Sequence, residues 1–157
     1  MPYYAVPGSL QTTTSSYKTA AAPYANATAT KRGKMTEFYM GAVSTPNSSD
    51  QALQFDISRM QATGALAGTA WTPTQNDSAD GASQFVSTIV ASAETTGVTA
   101  NSSLYNIGIN QRNTLRIMFP QESQYLIWPA TCANGFVLRA TSAGFTTSWD
   151  AGCTIME

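Results

Sequence analysis

From Lys34 onward, apolar side chains alternate with Thr, Ser, Gly and Asn in short runs. Leu53, Phe55 and Ile57 alternate with Gln54, Asp56 and Ser58, the period of a strand with one dry and one wet face. Tyr105, Ile107 and Ile109 repeat that pattern, and so do Leu115, Ile117 and Phe119. Further strands are predicted over 35–43, 64–71, 85–90 and 125–128, the last stopped by Pro129. Phe136–Arg139 follows Asn134-Gly135, a strong turn dipeptide. Residues 145–149 and 153–156 form one long bulged strand or a hairpin, with Asp150-Ala151-Gly152 at the break. Residues 44–50, 73–81 and 97–103 read as polar turns and loops. A helix competes over 49–63, with Ser49 or Asp50 as N-cap, and over 82–93, but the alternation at 53, 55 and 57 favours strand. About eight to ten strands at roughly 10-residue spacing define an all-β chain, an antiparallel β-sandwich or barrel.

Residues 1–30 break the pattern. They hold Pro2, Pro7 and Pro23, the run from Thr12 to Ser16, the alanines Ala20, Ala21 and Ala22, and one charge, Lys18. Neither strand nor helix periodicity is strong there, and so little apolar area cannot order the segment alone. It reads as a disordered tail or as an arm that orders on a neighbouring subunit. Tyr3, Tyr4, Tyr17 and Tyr24 favour the arm, because tyrosine offers rigid apolar area with a polar tip. Lys31-Arg32-Gly33-Lys34 is the only basic cluster, a solvated hinge or a contact for phosphate or an acidic partner. The expected organisation is an extended arm and basic hinge over 1–33 and a sandwich domain over 34–157. A chain of 157 residues can bury roughly 70% of its unfolded surface, enough for a core without metal or disulfide.

Composition narrows the chemistry. There is no histidine, and only 8 Lys and Arg and 9 Asp and Glu. That excludes Ser-His-Asp, Cys-His and histidine-based metal sites. No phosphate-binding or dinucleotide-binding glycine loop occurs. Glu37, Asp50, Asp56, Asp77, Asp80, Glu94, Glu122 and Asp150 show no spacing that pairs two of them for acid–base work. The loop Asn76–Gly81 resembles a calcium loop but lacks the closing acid. Cys132 and Cys153 form no metal signature and read as small apolar residues or as one disulfide. Trp71, Trp128 and Trp149 end apolar runs and read as packing residues, or as stacking platforms for a sugar. A net charge of −1 and a pI of about 5.3 argue against a nucleic-acid binder and leave association with copies unopposed. No secretory signal pattern is expected from the N-terminal sequence, and no run approaches the ~18 apolar residues of a membrane span. The expectation is a structural or binding protein, not an enzyme, with no cofactor and no metal.

One stretch carries a family likeness. It runs Arg112–Pro120, then Tyr125-Leu126-Ile127-Trp128-Pro129-Ala130-Thr131, then Ala133–Ala140, then Gly144-Phe145-Thr146-Thr147. These phrases, with Pro-Ala-Thr, the Asn-Gly turn and the Leu138-Arg139 strand, resemble small β-rich virion proteins of tailed bacteriophages, strongest over 112–147. The resemblance implies a head decoration (cement) protein, a sandwich often of jelly-roll type. Such a protein locks the major capsid protein lattice from outside, on the virion, after assembly in the host cytoplasm. It also implies a homo-oligomer, with a trimer fitting local three-fold axes. On this reading Tyr3, Tyr4, Val6, Tyr17 and Tyr24 anchor the arm, and Lys31, Arg32 and Lys34 face an acidic capsid patch. Arg112, Arg116 and Arg139 sit within strands and need partners, either across a subunit boundary or as ordinary exposed strand arginines. The alternatives are another virion part (neck, tail, fibre or coat protein) and, from a different class, a carbohydrate-binding adhesin module.

Overall fold

In a computed structural model of the chain, the described residues are 1–43, 45, 48–60, 66, 68–90, 94 and 97–157. They form β1 (Tyr3–Val6), β2 (Gln11–Thr12), β3 (Lys18–Ala21), β4 (Pro23–Ala25), β5 (Gly33–Ala42), β6 (Ala52–Met60), β7 (Thr69–Trp71), β8 (Thr74–Gln75) and β9 (Phe85–Ile89). The series continues with β10 (Val98–Asn110), β11 (Thr114–Met118), β12 (Leu126–Trp128), β13 (Gly135–Ser142) and β14 (Ser148–Met156). All pairings are antiparallel. The first sheet runs β11-β5-β14-β1-β8, with β12 also on β5 and β2 on β14. The second runs β10-β6-β13-β4-β9-β7, with β3 also on β13.

The pairing follows one rule: strands equally far from the two chain ends meet. β1 meets β14, β3 and β4 meet β13, β5 meets β11, and β6 meets β10. A long hairpin folded over itself, with β14 then joining β5 and β13 joining β6, is the jelly-roll sandwich. The segment between β6 and β10 is an insertion. It adds β8 to one sheet beside β1, and β9 and β7 to the other beside β4, so it closes the same side of both sheets.

The core lies between the sheets. Leu53, Phe55 and Ile57 of β6 and Phe136, Leu138 and Ala140 of β13 face Phe38 and Met40 of β5 and Trp149, Ala151, Cys153 and Ile155 of β14. Trp128 packs edge-on against Phe85 and Phe136, and Trp149 edge-on against Phe55. The strand alternative therefore prevails at 52–60 and 85–89, while 61–63 and 91–93 lie outside the described residues. Of the strand expected at 64–71, only Thr69–Trp71 is observed, and 64, 65 and 67 are likewise outside. Asp150-Ala151-Gly152 is not a break: β14 runs through it, with its irregularity at Thr154/Ile155.

The arm over 1–33 is corrected. β1 to β4 lie inside the two sheets, and Tyr4, Val6, Ala20, Ala21 and Ala25 belong to the core. The segment has too little apolar area to order alone, but it does not fold alone: β13 and β14 supply its ladder partners. The Asn134-Gly135 turn is also relocated. Asn134 N–H donates to the Thr131 carbonyl at 3.0 Å, and Ala133 takes the left-handed conformation at φ 60°. Gly135 serves close approach instead, since a Cβ there would lie 2.0 Å from the Pro23 carbonyl oxygen.

Candidate interaction surfaces

The outer faces of the two sheets differ in kind. On the second sheet, Ala22, Met60 and Val137 point away from the core, and Leu66, Val90 and Ala133 bury them in a smaller apolar cluster. Next to it lies a buried ionic network. Arg139 on β13 donates from Nε to Asp56 Oδ2 on β6 at 2.7 Å and from one terminal nitrogen to Glu94 Oε2 at 2.7 Å. Its other terminal nitrogen reaches Ser58 Oγ at 3.1 Å. Ser58 Oγ donates to Asp56 Oδ2 at 2.5 Å, Ser103 Oγ donates to Asp56, and Thr19 Oγ1 donates to Glu94. The Tyr17 ring covers the guanidinium at 4.2 Å. The Arg139, Asp56 and Glu94 side chains keep only 16%, 2% and 6% of their accessible surface. Burial pushes the Glu94 carboxyl up, further than Arg139 pulls it down. Burial works to lower Arg139, but its bonds to Glu94 and Asp56 outweigh that and raise it. Register explains the assembly: Arg139 sits opposite Asp56 on one side and Thr19 on the other. Glu94, whose N–H donates to the Tyr17 carbonyl at 3.0 Å, ties the insertion to this face.

The outer face of the first sheet has no such cover among the described residues. β5, β11, β12, β14 and β1 present cross-strand rows there. One row is Arg116–Tyr39–Gly152, another Met118–Glu37–Thr154, and a third Ile127–Lys34–Met156–Tyr3, with Gly152 buried beneath Tyr39 and Met156 itself buried. Met118 is 64% exposed, Tyr3 41%, Tyr39 39% and Ile127 37%. The charges between them are matched within the chain. Arg116 donates to Glu37 at 2.6 Å, and Lys34 lies 3.8 Å from Glu122. Burial works to raise Glu37, yet the Arg116 and Thr154 donors overcome it and hold the carboxyl below its usual range. A shallow pocket of about 360 Å³ opens on the same face between Tyr39, Gly41, Thr114, Arg116 and Asp150.

The residues expected to bind partners are scattered by this geometry. Tyr4 is buried and its hydroxyl donates to the Gly81 carbonyl at 3.0 Å; Val6 is buried beside it. Tyr17 belongs to the ionic network, and the Tyr24 hydroxyl accepts from Thr88 at 3.2 Å. Tyr3 and Lys34 lie on the bare face, while Lys31 and Arg32 are exposed at the approach to β5. Arg112, Arg116 and Arg139 each find a carboxylate in their own chain: Asp50, Glu37, and the Asp56–Glu94 pair. Trp128 and Trp149 are in the core, so neither offers a face to a sugar, and Trp71 is half-buried. Cys132 is exposed and Cys153 buried, and both are free thiols, with burial pushing the Cys153 thiol up. No group of three or more Cys, Asp or Glu side chains suited to a metal ion occurs among the described residues. Asp77 is engaged in its own loop, accepting from Ala79 N–H at 2.9 Å.

Tyr39, Met118 and Ile127 escaped the sequence reading, although it contained their signal. Each stands inside an unbroken apolar run, between Phe38 and Met40, Ile117 and Phe119, and Leu126 and Trp128. In a strand the middle residue of such a run must point away from its neighbours. With that geometry in view, no protein-family model, no curated protein and no solved structure matches the chain.

Proposed function

We propose that this chain is a virion structural protein, a capsid decoration protein that binds the outer surface of the major capsid protein lattice. One observation carries the reading: a jelly-roll body with one outer sheet face covered by its own insertion and the other, uncovered among the described residues, exposing Tyr3, Tyr39, Met118 and Ile127. Side chains of this kind, fixed on strands and separated by internally matched charges, suit a rigid partner surface and carry little desolvation penalty. Exposed Lys31 and Arg32 at the edge of that face fit an acidic rim on the partner. The likeness of residues 112–147 to phage virion proteins points the same way. The arm no longer serves as the anchor in this reading; the first sheet does. Quantitative protein counting in purified virions tests it. The expected result is a copy number that scales with that of the major capsid protein. A small fixed number per particle would instead assign the chain to a neck or tail ring.

A further inference from the structure

Among the described residues, all edge strands but one are short; β12 and β2, each paired on one side, have three and two residues. β8 and β7 have two and three residues. β11 has five and carries Arg116. The exception, β10, is 13 residues long, with no charge and no proline from Val98 to Asn110. Proteins guard such edges with charge, proline, bulges or brevity, because unpaired N–H and C=O groups invite another strand. Here the bulge is confined to the first half. Register shifts fall between Val98 and Tyr105, and Asn101 is left-handed at φ 55°. From Tyr105 to Asn110 the ladder to β6 is regular, and nothing among the described residues pairs with the other edge. The core is thin at the same place. Tyr105 and Ile107 of β10 and Leu115 and Ile117 of β11 pack on the core but stay half-buried, whereas the opposite side is closed by the insertion.

We propose that the free edge of β10 pairs with the same edge of a second copy of this chain, antiparallel across a two-fold axis. The second sheets of two copies then become one continuous sheet, and the two half-buried apolar rows cover each other. A second copy is the fitting occupant because two-fold pairing sets the strand against itself, which only an uncharged strand does without repulsion. The nearest cation past its end, Arg112, is matched by Asp50 at 3.0 Å, and the whole chain carries a net charge of −1. The pairing does not depend on the capsid reading, since it uses a sheet edge and leaves the first sheet's outer face open.

Gly108→Lys is the deciding variant. A Cβ at Gly108 meets no atom within 4 Å, so the monomer accepts the side chain, while the edge gains a charge that its mate repeats. Light-scattering mass across a concentration series, with amide exchange of Tyr105–Asn110, reads the result. The wild type should reach twice 16.7 kDa with the amides of that stretch that point away from β6 protected as well. The variant should stay at 16.7 kDa, still melting cooperatively, with only the alternate amides of that stretch that point away from β6 exchanging freely. A wild type that is monomeric throughout, one of three-chain mass, or an oligomer that survives Gly108→Lys overturns the proposal.

Discussion

Deleting residues 1–30 should abolish the cooperative unfolding transition and leave an aggregating chain. The deletion removes β1 to β4 and exposes the edges of β13, β14 and β9 that they now pair. It also strips Tyr4, Val6, Ala20, Ala21, Ala22 and Ala25 from buried positions. Burial of the two larger side chains is worth roughly 1.5–3 kcal/mol each, and the lost ladder and opened core add to that. Domains of this size hold only about 5–15 kcal/mol in reserve. Circular dichroism during a thermal ramp checks this. A truncated chain that melts cooperatively near the wild-type temperature would show the segment to be an appendage. The deletion is also unsuited to testing capsid binding, because it would remove the fold together with any contact.

Arg139→Met should be the most damaging single substitution, at about 3–5 kcal/mol, because it strands two carboxylates beneath the insertion. Nearly the full guanidinium is engaged, so methionine replaces the stem but none of the bonds to Asp56, Glu94 and Ser58. The loss should shrink in acid, and the sign follows from Glu94. Burial already holds its folded pKa above the ordinary carboxylate value, so the folded state binds the extra proton. Stability from such a group is present below the unfolded pKa and falls as pH rises through the folded one. Without Arg139 the folded value climbs further, so the variant's deficit should widen between acid and neutral pH. Urea denaturation of both proteins at two pH values reads it. A deficit under 1 kcal/mol at neutral pH, or one that is larger in acid, contradicts the network's role.

The strands that alternate were legible because each has one face on the core: 53, 55 and 57, then 105, 107 and 109, then 115 and 117. The segment 18–25 was not, for a physical reason. Ala20 and Ala21 face the main core while Ala22 faces the outer cluster, so this stretch is buried on both sides and shows a continuous small-residue run. Arg139 announced its need for a partner by sitting in an apolar strand. That its partners lie 83 and 45 residues away in the same chain is a consequence of topology, which sets β13 beside β6 and returns Glu94 over them. The bare face was half legible. The apolar runs around residues 39, 118 and 127 signal an outward residue, but only the covered second sheet shows which outer surface stays open.

If the proposed capsid-decoration role is right, the outer face of the first sheet should hold the chain on assembled shells of its proposed partner, a major capsid protein, and co-sedimentation reads this. The comparison is between the wild type and Ile127→Glu, a change that Lys34, directly opposite in register, can accommodate as an ion pair. The wild type should pellet with the shells to a fixed saturating ratio, and the variant, equally well folded, should remain in the supernatant. A wild type left in solution, or a variant that pellets to the same ratio, contradicts that role.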